Sequence, residues 1–217
     1  MKRILVIFLL NLVLFSSFAQ NRGVELSHYI FPEFKNGTVL MKSGQQHQAL
    51  LNYNTLSEEM IFEDKGRKLA ISKEEKEKVD TVFIEGRKFF VLNGRFAELI
   101  YRSGYELYAE YRCDVKYPGK PAGYGGTSET SSVSTYSGVY SGVVLYELKL
   151  PDDFKIKPYI IYWLKKDGEI NKFVNLKQLN KIFSDRKDLI KEYISSNNPD
   201  FNDRESLIRL IRYLESD

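Results

Sequence analysis

The sequence is poor in the residues that carry most enzyme chemistry: its 217 residues include two His, one Cys and one Trp. A single Cys excludes an internal disulfide framework. There is no Cys-x-x-Cys or His-x-x-x-His pair to hold a metal, no Gly-x-Ser-x-Gly nucleophile elbow and no phosphate loop ending in Gly-Lys-Ser/Thr. A Ser-His-Asp or Cys-His arrangement would have to use His28 or His47, and neither sits in a local signature of that kind. His47, in Gln45-Gln46-His47-Gln48, reads as the solvated end of a strand. Asn198-x-Asp200-x-Asn202 opens like a calcium loop, but Asp203 stands where Gly is needed and Arg209 where Glu is needed, so these residues read as loop and helix cap. The sequence therefore implies no metal, no cofactor and no catalytic residue that can be named.

Charge of one sign is also lacking, with 32 Lys and Arg set against 29 Asp and Glu. A nucleic-acid binder concentrates bases to displace counterions from phosphates, so no nucleic-acid partner is expected. The densest charge run, Lys73 to Lys78, alternates sign and reads as a solvated connection. Long apolar runs are confined to Ile4–Phe15, which is apolar apart from Asn11. As a helix this run covers about 18 Å, well short of a hydrocarbon core about 30 Å thick. With Lys2 and Arg3 before it and Ser17-Phe18-Ala19 after it, residues 1–19 read as a cleavable signal peptide. The mature chain is then expected to begin near Gln20, to be periplasmic or on the cell surface, and to have no stable membrane insertion. The only Cys, Cys113, is far from the cleavage site, so no N-terminal lipid is expected.

What is present is β-pattern punctuated by glycine. Turns are predicted at Asn36-Gly37, Ser43-Gly44, Lys65-Gly66, Glu85-Gly86, Asn93-Gly94 and Ser103-Gly104, several of them one strand plus one turn apart. Asn93-Gly94 is the strongest, because both central residues of a type I′ turn need positive φ. The segments Thr81–Ile84, Lys88–Leu92 and Phe96–Tyr101 are rich in β-branched and aromatic residues and predict an antiparallel meander. Over Tyr105–Val115 the odd positions are Tyr, Leu, Ala, Tyr, Cys and Val, which places Cys113 on an apolar face as an inert thiol. The sheet is expected to resume with Val143–Leu150 and with Pro158–Lys166 paired to Glu169–Val174 across Asp167-Gly168. In Tyr159–Leu164 both alternating faces are apolar, which predicts an inner strand covered on two sides.

From Asn175 the apolar period changes to 3.6. Three short helices are predicted, with stripes Leu176/Leu179/Ile182/Phe183, Leu189/Ile190/Tyr193/Ile194 and Leu207/Leu210/Ile211/Leu214. Asn175 with Gln178, and Asn202 with Glu205, match the reciprocal capping pattern. The expected class is α+β: an antiparallel meander over residues 20–174, then a C-terminal cluster of short helices over 175–217, packed on the same domain.

Residues 117–142 break this regularity. They hold six of the 14 Gly, two of the six Pro, many Ser, and Tyr117, Tyr124, Tyr136 and Tyr140. A structureless segment this long is uncommon in a compact domain and is usually functional or a tether. Gly and Ser fit a tether. Tyr among them supplies rigid contact area at small entropy cost, as in binding loops, so the four tyrosines are the candidate binding residues.

The run Tyr117-Pro118-Gly119-Lys120-Pro121-Ala122-Gly123-Tyr124-Gly125-Gly126, with Tyr146-Glu147-Leu148-Lys149-Leu150-Pro151 and Asn175-Leu176-Lys177-Gln178-Leu179, resembles exported, β-rich proteins of uncharacterised function from Bacteroidetes-type bacteria. The resemblance implies export and carries no activity, cofactor or catalytic residue. Asp80-Thr81-Val82 resembles the three-residue O-glycosylation motif of such envelopes, but so short a motif recurs by chance and the residue is read as a strand-edge threonine. Two functions follow as expectations. The first is a non-enzymatic envelope module in which residues 117–142 contact a protein or polysaccharide; the second is a glycan hydrolase that uses a pair of carboxylates, whose spacing in sequence is unconstrained.

Overall fold

The computed structural model describes residues 28–116, 120–121, 127–128, 146 and 155–216. Ten strands form one antiparallel sheet. In chain order the main strands are β1 (Lys35–Met41), β2 (Gln46–Asn54), β3 (Glu59–Asp64), β4 (Arg67–Ala70), β5 (Val79–Ile84), β6 (Arg87–Leu92), β7 (Arg95–Arg102), β8 (Glu106–Lys116), β11 (Lys155–Lys166) and β12 (Glu169–Phe173). The intervening β9 (Lys120–Pro121) and β10 (Thr127–Ser128) pair only with each other. The sheet order β12-β11-β8-β7-β6-β5-β1-β2-β3-β4 is two meanders joined where β1 pairs with β5. The connection between the meanders is a six-residue helix, α1 (Lys73–Lys78), whose first turn is capped by Ser72 Oγ accepting from Glu75 N at 3.2 Å. This is the predicted alternating charge run, and none of it is buried.

Four hairpins turn as the glycine dipeptides dictate. Asn93 and Gly94 have φ of 50° and 77°, and Asp167 and Gly168 have 53° and 81°, the positive pair that a type I′ turn requires. Asn36-Gly37 is not a turn. Gly37 lies inside β1, opposite Ala49 and Ile84, and an added Cβ would sit 2.6 Å from Phe83 O and 2.7 Å from Leu51 Cδ1. Glycine is there for close strand approach, a demand set by neighbours and invisible in the local pattern.

The sheet curls until β3 comes alongside β7, and Cys113 N, near the end of β8, donates to Thr55 O just past β2 at 3.1 Å. Residues that face each other in register share a face. Following Leu51, Val39, Val82, Phe89, Glu98 and Ala109 across the ladders traces one continuous face. Its first half is the inside of the curl, with Leu51, Tyr53, Met60, Val82, Ile84, Phe89 and Phe96 nearly or fully buried. Its second half is covered by helices α2 (Leu176–Ile182), α3 (Lys187–Asn197) and α4 (Arg204–Ser216), which bury Leu107, Ala109, Tyr162, Leu164 and Phe173. Burying one such Phe or Leu contributes about 1.5–3 kcal/mol.

All three predicted helical stripes face inward: Leu179, Phe183, Ile190, Leu207, Leu210, Ile211 and Leu214 are 0–1% exposed. The helices spread over the sheet instead of forming a separate bundle, with α2 on β12, α4 on β7 and α3 against α4. Asn175 caps α2 as expected, accepting from Gln178 N at 3.0 Å, while Gln178 Oε1 reaches back to Val174 N at 2.8 Å. The last helix is capped by Asp203, not Asn202: its carboxylate accepts from Glu205 N at 3.0 Å and Ser206 N at 3.2 Å. Asn202 N donates to Asp200 instead, which tightens the turn into the helix.

Both outer strands of the sheet are short, and β4 opens with Arg67 and Lys68, which discourages edge-to-edge association. Pro158 is tolerated in β11 because it lies beyond the end of β12, which pairs only from Tyr162 onward. The predicted strand Val143–Leu150 lies outside the described residues except for Tyr146, which is in a turn. Thr81 is an interior residue of β5, 3% exposed, with its hydroxyl donating to Asp80 at 2.6 Å, so burial removes it as a glycosylation acceptor. Among the described residues no helix is long and apolar enough to cross a membrane.

Candidate functional site

The predicted binding residues Tyr117, Tyr124, Tyr136 and Tyr140 lie outside the described residues. The frame that presents their segment is described. β8 and β11 pair without a register break from Glu106↔Lys165 to Lys116↔Lys155. Lys116 and Lys155, which flank residues 117–154, therefore stand directly opposite each other in the sheet. Between them in sequence, Thr127↔Pro121 and Ser128↔Lys120 form a two-rung antiparallel ladder that the Gly and Ser content conceals. Further on, Tyr146 is tied to the curl at two points. Its hydroxyl donates to Glu59 at 2.9 Å, and its carbonyl accepts from the Tyr29 hydroxyl at 3.0 Å. Burial, reinforced by Glu59, pushes the Tyr146 hydroxyl up to about 12.

Beneath that frame the outer face of β8 is dry and ionic, where the period-two reading implied a polar, wet face. Glu110 is 1% exposed. It accepts from Arg112 Nε at 2.7 Å and from Trp163 Nε1 at 2.7 Å. Arg112 and Arg95 also reach Glu58, in the β2–β3 turn, at 3.3 and 2.7 Å. Two guanidiniums thus clamp two carboxylates and fasten that turn across β7 and β8. Cys113 is half-buried on the other face, and loss of solvent pushes its thiol up to about 11.

A second ionic group sits where the curled half of the inner face gives way to the helix-covered half. Glu98, 3% exposed, accepts from Arg87 Nε at 2.7 Å and Nη2 at 2.6 Å, from Arg204 of α4 at 3.1 Å and from the Tyr111 hydroxyl. The Arg87 guanidinium lies over Phe31, Phe89 and Tyr111 at 4.9–5.4 Å. Burial, with Glu98 beside it, raises the Tyr111 hydroxyl far above its ordinary value, so it stays a donor. One sign of this group was present in sequence: Glu98 interrupts the apolar run Phe96-Ala97-Glu98-Leu99-Ile100.

His47 is exposed near the start of β2, and His28 is fully buried with its ring 4.7 Å from that of Tyr29. Among the described residues, hydrogen bonds hold the carboxyls of Glu33, Glu74, Glu106 and Glu215 below their ordinary values. Among the described residues no group of three or more His, Cys, Asp or Glu is placed to hold a metal.

The open end of the curl holds a cleft of about 570 Å³ between β1, β2, β3 and α1. Val39, Met41, Leu51, Phe62, Ile71 and Val79 line it, with Glu63, Asp64 and Glu75 among its polar residues. No protein-family model matches the chain, and no curated protein or solved structure matches it either, so a functional reading rests on geometry alone.

Proposed function

We propose that the chain is an exported envelope protein that works as a non-enzymatic binding or structural module, contacting a protein or polysaccharide through residues 117–142 with Tyr117, Tyr124, Tyr136 and Tyr140 as contact side chains. One observation carries this reading: the segment springs from paired positions of a continuous ladder, Lys116↔Lys155, at the end of an eleven-pair run between β8 and β11. Binding loops act from rigid bases, because a fixed base limits the ordering entropy that association must overcome. The C-terminal helices support the same reading. They cover one face of β8, β11 and β12 and tie the two strands that flank the segment into a common core.

The competing reading, glycan hydrolysis, needs two carboxylates in one cleft with one kept protonated. The two buried acids among the described residues, Glu98 and Glu110, weigh against it. They stand on opposite faces of the sheet, and each is already bound by guanidinium. The test compares residues 20–217 with the same chain lacking 120–140, measuring co-sedimentation with envelope fragments and with purified surface polysaccharide. The shortened chain is expected to lose capture while its Tm stays within about 2 °C. Retained capture overturns the proposal.

A further inference from the structure

The cleft at the open end of the curl lies at the other end of β2 from the turn beside which Tyr146 meets Glu59, and nothing in the reading above uses it. Its floor is the inner face of the sheet: Leu51 is 0% exposed, Val79 2% and Val39 8%, with Met41, Ala49 and Phe62 partly exposed above them. Ile71 and α1 close one side. A volume of about 570 Å³ falls within the range of clefts that bury most of a small ligand, and the mouth of a curled sheet is a common place for one.

Chemistry at the rim selects the ligand. The carboxylates on the cleft's own face are Asp64, two residues on from Phe62 in β3, and Glu75 of α1; His47 also lines it, and no Lys or Arg does. Lys78 meets Glu75 at 2.7 Å and Arg67 meets Asp64 at 3.7 Å, but both pairs are exposed and therefore weak. An anionic amphiphile would bring its head group against like charge, whereas a protonated amine would gain carboxylate partners while its tail covered Met41 and Phe62. We propose that this cleft binds an amphipathic cation, a molecule with an unbranched or compact apolar body and a protonated amine at one end.

The test titrates residues 20–217 with dodecylamine and with dodecanoate, each below its micelle threshold, by isothermal calorimetry at neutral pH. These probes share a tail and differ in the sign of the head group. The amine should bind one to one and at least about 10-fold more tightly than the carboxylate. Ala49→Trp, which fills the cleft, should abolish binding of both. The double variant Asp64→Asn/Glu75→Gln should bring the two affinities within about 3-fold. If Ala49→Trp does not fold, Phe62→Ala serves in its place and should weaken both probes by at least about 5-fold through lost tail contact. Absence of amine binding, equal affinity for the two probes, or undiminished binding by the filled or trimmed cleft overturns the proposal. So does a chain that is dimeric in solution through this face and stays dimeric when the amine is added.

Discussion

Replacing Glu98 by Gln keeps the volume of the side chain and removes its charge, leaving Arg87 and Arg204 facing a neutral amide. The Glu98 side chain is 4% exposed, against 20% for Arg87 and 40% for Arg204, so the stranded cations can reach water only in part. Breaking one partner of a buried pair costs about 3–5 kcal/mol. The access of Arg204 to solvent places the expected loss at the lower end, about 3 kcal/mol. For a chain of this length that lowers Tm by about 6–12 °C. The comparison is Glu205→Gln, which breaks only an exposed contact with Arg204 at 3.4 Å and should cost less than about 0.5 kcal/mol. Adding Arg204→Leu to Glu98→Gln removes one stranded charge, and the two changes should couple by at least about 1 kcal/mol in a double-mutant cycle. Urea denaturation with matched m-values is the assay. A Glu98→Gln cost no larger than that of Glu205→Gln, or strict additivity in the cycle, refutes the assignment of this group as the joint between the two cores.

Gly37→Ala should destabilise by about 1–3 kcal/mol in urea melts, because its Cβ would press on a backbone oxygen that cannot move without parting β1 from β5. Cys113 should react with iodoacetamide at pH 8 about 100-fold more slowly in the folded chain than in urea, and its folded-state rate should keep rising with pH toward its pKa of about 11. Burial opposes ionisation of Glu215, but hydrogen bonds from the Tyr101 hydroxyl and the amides of Tyr105 and Gly104 outweigh it and hold the carboxyl below its ordinary value. A depressed carboxyl pKa stabilises the fold above the unfolded value and loses that contribution as pH falls through the folded one. The stability difference between the natural chain and Glu215→Gln, measured from pH 7 down to pH 3, should therefore shrink below about pH 4.5.

Local signals were legible wherever the chain alone decides its conformation. Asn93-Gly94 and Asp167-Gly168 need positive φ at two successive residues, and few other dipeptides supply it. Asn175 and Gln178 satisfy orphan amides within one turn, and the stripe ending in Leu214 sets the buried side of the last helix. What depended on partners distant in sequence was not legible. Gly37 resembles a turn until Phe83 and Leu51 arrive beside it. The polar positions of β8 look solvated until the curl carries Glu58 over Glu110 and Arg112. Period-two reasoning assumes one wet face, and a sheet that curls onto itself removes that assumption. The cleft at the mouth is hidden for the same reason: Val39, Leu51 and Phe62 look like ordinary strand residues, and only the curl leaves a space between them and α1.

The central claim, that residues 117–142 make contact through their tyrosines, is tested most directly by changing Tyr117, Tyr124, Tyr136 and Tyr140 together to Ser and measuring capture of envelope fragments beside the unaltered chain. The account predicts at least about a 10-fold loss of capture, because stacked or buried Tyr rings dominate such contacts, with Tm unchanged within about 2 °C. Undiminished capture by the four-Ser chain contradicts it.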